Sequence, residues 1–111
     1  MTVRQREAAR RDRFVRDAVP TRLGNIASEL NRLAARVSAG HATDAVVGQM
    51  TRIASMMEWL AEGATEQVAD MQREICRWRR VWPLEGAQSL LAFRARQMSR
   101  ELIEASGLIE T

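Results

Sequence analysis

From residue 23 the apolar positions fall at alternating steps of three and four: Leu23, Ile26, Leu30, Leu33 and Val37. Steps of that kind keep side chains on one face of an α-helix, and Ala27 and Ala34 widen the stripe. Gly40, after Ser38 and Ala39, suits the residue that closes a helix, and Thr43 or Asp44 can cap the start of the next. The same alternation then runs through Met50, Ala54, Met57, Ala61, Ala64, Val68, Met71, Ile75, Trp78 and Trp82. Glu58, Glu62, Glu66, Asp70 and Glu74 recur every four residues over the same stretch. Both periodicities cross Gly63, although glycine costs a helix interior about 1 kcal/mol relative to alanine. The pattern therefore predicts one helix over about 43–82, roughly 60 Å long at about 1.5 Å per residue. Pro83 ends it, because the residue before a proline resists the helical conformation.

A last helix is predicted over about 84–106. Leu91, Ala95, Met98, Leu102 and Ala105 form its stripe, which Leu90, Phe93 and Ile103 broaden. Ser106, Gly107 and Leu108 predict a Schellman ending in which Leu108 folds back on Ile103. At the other end, residues 2–18 read as a polar, Arg-rich helix anchored by Phe14, Val15 and Val19, whose first turns fray. Pro20 either kinks that helix or opens the following one. Residues 1–19 are thus expected to form a partly mobile helix or arm, and residues 20–111 a helical-bundle domain.

The expected fold is all-α, an antiparallel bundle built on the long central helix with shorter helices flanking it. Each flanking helix is about half as long as the central one and covers only half of its stripe. A second copy docked about a two-fold axis completes such a bundle, so a homodimer, a larger assembly or a protein partner is expected. The candidate interface is Met50, Met57, Val68, Met71, Ile75, Trp78 and Trp82. The competing arrangement breaks the helix at Gly63 and closes a monomeric four-helix bundle.

Composition supports the helical reading: 46% of the 111 residues are hydrophobic, only 5% are aromatic, and there is no Tyr. No apolar run approaches the roughly 20 residues that a membrane span requires, and the Arg-rich start has no apolar segment behind it. A cytoplasmic protein with no membrane partner is expected. Cys76 is the only cysteine, which excludes an internal disulfide and a cysteine metal site and suggests a structural thiol. The carboxylates of the acidic ladder drift around the helix by about 40° per step, so they cannot converge on one ion. No cofactor and no metal are expected, and the six Met are core filler.

Charge changes the picture more. All 17 basic residues are Arg, against 14 acids. Residues 1–22 carry a net +4, residues 43–72 carry −4, and residues 73–100 carry +5. A chain so divided can neutralise itself, and Asp70 with Arg73 and Glu74 with Arg77 are spaced for local pairing. The segment Cys76–Gly86, CRWRRVWPLEG, interleaves arginine with tryptophan as a nucleic-acid surface does. Its phase nevertheless sends Trp78 and Trp82 inward, with the arginines as a collar at the helix end. Candidate contacts to nucleic acid or a partner are Arg4, Arg6, Arg10, Arg11 and Arg13 in the first segment and Arg73, Arg77, Arg79 and Arg80 in the last.

Arg36 and His41, the only histidine, have four residues between them and resemble the Arg-x4-6-His motif of HEPN-type ribonucleases. The resemblance implies a catalytic pair in a dimeric RNA-cleaving site. In that family the motif lies on a helix with a polar residue after the arginine; here Val37 follows, and Gly40 is expected to end the helix first. No phosphate-binding glycine loop, Ser-His-Asp set or nucleotide fingerprint is present. No catalytic residue is assigned. The primary expectation is a non-enzymatic scaffold or interaction protein, acting as a homodimer or a small subunit of a larger complex. The alternative is an accessory subunit that grips RNA or DNA backbone through its arginines, similar in architecture to the small helical subunits of RNA-guided complexes.

Overall fold

A computed structural model describes residues 2–60, 65–83 and 85–107, which form five α-helices. They are α1 (Val3–Arg16), α2 (Val19–Ser38), α3 (Thr43–Trp59), α4 (Glu66–Val81) and α5 (Gln88–Ser106). The all-α class follows. No helix among the described residues is long and apolar enough to cross a membrane.

α1 begins with a capping box. The Thr2 hydroxyl accepts the Gln5 N–H at 3.1 Å, and the Gln5 side chain accepts the Thr2 N–H at 2.7 Å, satisfying two otherwise unpaired donors. Asp17 and Ala18 are extended, and Pro20 lies in the first turn of α2, where a missing N–H costs nothing. Pro20 therefore opens α2 rather than kinking α1. Arg22, one turn in, donates to the Val15 and Asp17 carbonyls at 2.7 Å each and so satisfies the end of α1.

The stripe predicted for α2 is buried in full: Leu23, Ile26, Leu30, Leu33 and Val37, with Ala27 and Ala34. Each buried Leu or Ile stabilises the fold by about 1.5–3 kcal/mol relative to exposure. Gly40 has φ 70°; its N–H reaches the Val37 carbonyl, and the His41 N–H reaches Arg36, which together form a Schellman ending. The next helix is not capped as expected. Ala42 is its N-cap, without a side-chain bond, and Thr43 and Asp44 fall within the first turn. Asp44 there complements the positive end of the helix dipole.

α2 packs most extensively on α5. Small residues allow it: Ala27 and Ala34 on α2, and Ala92, Ala95 and Ser99 on α5, are all buried. The Ser99 hydroxyl donates to the Ala27 carbonyl at 2.9 Å, so this buried polar group is satisfied.

The continuous helix over 43–82 is corrected by the structure. α3 stops at Trp59, Thr65 is extended (φ −111°, ψ 169°), and α4 starts at Glu66. The two helices then fold back antiparallel: Gln72 donates to the Ala54 carbonyl at 3.1 Å and to Glu58 at 2.9 Å, and Arg79 reaches Thr51. The Thr65 hydroxyl accepts the Val68 N–H at 3.2 Å, the bond of an N-cap. Gly63, Ala61, Ala64 and Glu62 lie outside the described residues. The physical reason for the reversal is burial. Folded back, α3 and α4 place Met50, Met57, Val68, Met71 and Ile75 in one core with α2 and α5, whereas a straight helix leaves half of that stripe uncovered.

α5 starts at Gln88, four residues later than the expected 84. Its stripe of Leu91, Ala95, Met98 and Leu102 is buried, while Ala105 is exposed. Leu90 and Phe93, expected to broaden that stripe, instead face solvent at 71% and 61% exposure. Gly107 is left-handed (φ 71°) and closes α5 as expected; Leu108 lies outside the described residues. α4 and α5 are bridged by long side chains, notably Arg94 Nε to Glu74 at 2.8 Å.

Candidate nucleic-acid interface

The basic collar of α4 is positioned by the α3–α4 reversal. Arg73, Arg77, Arg79 and Arg80, with Gln72 and Cys76, line an open cleft of about 360 Å³ that contains no carboxylate. Arg73 pairs with Asp70, as the spacing predicts, but both side chains are about two-thirds exposed. Such a pair is worth about 0–1 kcal/mol and yields readily to a better anion. The expected Glu74–Arg77 pair does not form. Glu74 is taken by Arg94 across the α4–α5 gap, and among the described residues neither Arg77 nor Arg80 has an ion-pair partner. Trp78 and Trp82 are half-buried against the core, as their phase predicts, while Arg77 and Arg80 project outward.

Arg79 turns back toward α3. Its Nη1 donates to Thr51 Oγ1 at 3.4 Å, and its Nη2 lies 4.0 Å from Cys76 Sγ. Thr51 also lines a second, larger groove of about 530 Å³ between α1 and α3. There Arg6 and Arg10 of α1 meet Arg36 of α2 and Arg52 of α3, with Glu7 and Asp44 as the carboxylates. An adjoining hollow of about 370 Å³ brings Arg13 and Arg10 together with Arg32 and Arg52. Arg4 and Arg11 are exposed on α1 and line none of these hollows. Arg79 of the last positive segment thus bonds a residue that lines the groove holding Arg6 and Arg10 of the first.

Thr51, Arg32, Arg36 and Arg52 were not among the sequence candidates for this face. Arg52 is the single basic residue of the acidic segment, and its position on α3 opposite Arg10 was visible only once α1 docked. That docking rests on Phe14, 6% exposed, whose ring lies 6.1 Å from that of Trp59 at 55°. Three carboxylates of the acidic ladder have separate partners: Glu58 receives Gln72, Asp70 receives Arg73, and Glu74 receives Arg94. Among the described residues no group of three His, Cys, Asp or Glu side chains is placed to hold a metal.

The floor of the α1–α3 groove has two unusual residues. Gln49 is 2% exposed; its Nε2 donates to Glu29, which also takes Arg32 at 2.7 Å, but its Oε1 has no hydrogen-bond partner. Buried polar atoms are rarely left so, since desolvation without a partner costs about 1–3 kcal/mol. Gly48 sits in the interior of α3, where it costs about 1 kcal/mol relative to alanine. Neither tight packing nor a left-handed backbone requires it: a Cβ added there meets nothing within 4 Å.

The remaining candidates are placed as follows. Met50, Met57, Val68, Met71 and Ile75 are covered by the chain's own helices. Arg36 and His41 do not share a helix, because α2 ends at Ser38 and His41 lies beyond the left-handed Gly40. Arg36 Nη1 instead donates to the Ala45 carbonyl at 3.5 Å, and the His41 side chain is exposed. Cys76 is a free, half-buried thiol. Compared with known proteins, the chain matches no family, no curated protein and no solved structure at a significant level.

Proposed function

We propose that this chain is a non-enzymatic binding protein that grips the phosphate backbone of a nucleic acid without reading its base sequence. The supporting observation is the contact at Thr51, where Arg79, which lines the arginine cleft of α4, donates to a residue that lines the arginine-rich groove of α1 and α3. Guanidinium groups bond phosphate oxygens through paired N–H donors, and several on one face neutralise successive phosphates. Arg77, Arg80, Arg6, Arg10 and Arg52 have no ion-pair partner among the described residues, so they bind phosphate without first breaking an internal pair.

The scaffold expectation drew on an unfinished stripe along a long helix. With that stripe buried inside the chain, its remaining support is the exposed pair Leu90 and Phe93 on α5. The arginine clusters of α1, α3 and α4 support the nucleic-acid reading over the scaffold reading.

The test is fluorescence anisotropy with generic RNA and DNA oligonucleotides across a salt series. Binding that weakens log-linearly with salt is expected, with a slope that falls by roughly one for each arginine removed. Negligible affinity at low salt, or affinity indifferent to salt, overturns the proposal.

A further inference from the structure

We propose that the exposed apolar patch where α4 ends and α5 begins docks one amphipathic helix of a partner protein, whose apolar stripe is bordered by carboxylates. The large exposed hydrophobic residues among the described residues are Val3, Val81, Leu90 and Phe93, and the last three lie here, each more than half exposed. They belong to one surface. Leu90 and Phe93 are neighbours three apart on α5, Val81 is three from Trp78 on α4, and Trp78 and Leu90 line the same hollow. Apolar residues scattered singly are ordinary on a protein surface, whereas a contiguous group marks a contact.

The hollow, of about 250 Å³, lies between the two helices, and Ala87 and Leu91 complete its apolar wall. α4 and α5 are held together by long side chains, Arg94 to Glu74 at 2.8 Å and Gln67 to Glu101 at 3.3 Å, rather than by close backbone approach. A gap of that kind admits a large side chain projecting from a helix laid along it.

Arginine borders the patch on both sides. Arg77 and Arg80 stand beside Val81 on α4, and Arg96 and Arg100 follow Phe93 by about one and two turns on α5. Among the described residues none of the four has an ion-pair partner, although Arg96 donates to Ser38 Oγ at 3.3 Å. Glu74 and Glu101, the carboxylates between the helices, are both taken by Arg94. Glu85 in the connection and Glu104 one turn past Arg100 are the exposed acids nearest in sequence.

That charge pattern selects the occupant. A second copy docked about a two-fold axis presents the same arginines, so like charges meet across the contact. A flat bilayer sends no side chain into a hollow. Successive nucleobases need aromatic faces, and of the three exposed residues only Phe93 has a ring. An acidic amphipathic helix meets both the hollow and its borders. Arg77 and Arg80 also belong to the proposed backbone grip, so the decisive substitutions are those on α5.

The test is selection of a phage-displayed library of random helical peptides on the full chain. Enriched peptides are expected to carry large apolar residues at i, i+3 or i+4, and i+7, with Asp or Glu on both flanks. Leu90→Ser with Phe93→Ser should weaken a selected peptide by roughly tenfold or more, as loss of a buried anchor does. The same double variant should leave salt-dependent oligonucleotide binding unchanged. Arg96→Glu with Arg100→Glu should weaken the peptide several-fold. No consensus, a basic consensus, or peptides indifferent to Leu90→Ser with Phe93→Ser overturn the proposal and leave the backbone reading standing. Three other results overturn it by naming a different occupant, if Leu90→Ser with Phe93→Ser abolishes them. A dimer in sedimentation points to a second copy, binding to phosphatidylserine vesicles to a bilayer, and single-strand affinity to bases.

Discussion

Arg79 Nη1 meets Thr51 Oγ1 at 3.4 Å, across the antiparallel contact of α4 with α3. This one bond ties Arg79 of the α4 cluster to a residue that lines the groove of Arg6 and Arg10. Arg79 is half-buried and also lies near Cys76, so it is held in place while Arg77 and Arg80 project outward. Arg77→Ala with Arg80→Ala should therefore change stability by less than about 0.5 kcal/mol, as exposed substitutions do. The same pair should lower the salt slope of nucleic-acid binding by roughly two. Urea denaturation and anisotropy on one preparation check both halves.

Thr65 distinguishes a cap from a helix interior. In a continuous helix, Thr65→Ala would raise stability, since alanine is the better helix former. As the N-cap of α4, with its hydroxyl on the Val68 N–H, Thr65 should instead lose about 0.5–2 kcal/mol on conversion to alanine and only a few tenths on conversion to glycine. A stabilising Thr65→Ala, measured by equilibrium denaturation, would contradict the fold-back.

The α2–α5 contact depends on small side chains. Ala27 and Ala95 are both fully buried. Ala27→Leu or Ala95→Leu should separate the helices and cost about 1–3 kcal/mol or more by overpacking. A thermal melt reads the loss directly; an unchanged melting temperature for both variants contradicts the close approach.

α1 is fastened at its C-terminal end, through Phe14 on Trp59 and through Arg22 on the Val15 and Asp17 carbonyls. Phe14→Ala should release α1 and raise hydrogen exchange across Val3–Arg16, while α2 and α5 keep their protection. Arg22→Ala should do the same more weakly, at about 1 kcal/mol, because it removes hydrogen bonds rather than burial.

α2 was legible in the sequence from its stripe to its Gly40 ending, because every position of that stripe is buried, whereas Pro20 left its start open between two arrangements. The reversal between α3 and α4 was not legible from periodicity. Met57 and Val68 are eleven residues apart, close to three helical turns, so a stripe keeps its phase whether the chain runs straight or turns back. The local signal was Gly63 followed by Thr65 and Glu66, a breaker ahead of a capping residue and a first-turn acid. Leu90 and Phe93 misled for a different reason: hydrophobicity marks what burial favours, and nothing in a single chain says that every apolar residue finds cover. The arginine face was half legible. Charge segments were visible, but their junction depends on Thr51, a residue with no charge.

The clasp at the C-terminal end of α1 leaves Arg6 and Arg10 on the part of the helix beyond Phe14, toward its exposed Val3 end. One wall of the groove is thus a lever held from its far end. Whatever bridges that lever to α3 adds its own binding free energy to the holding of α1, by mass action. Occupancy and the closure of α1 are two readings of a single equilibrium, and the amides of Val3–Arg16 become its gauge.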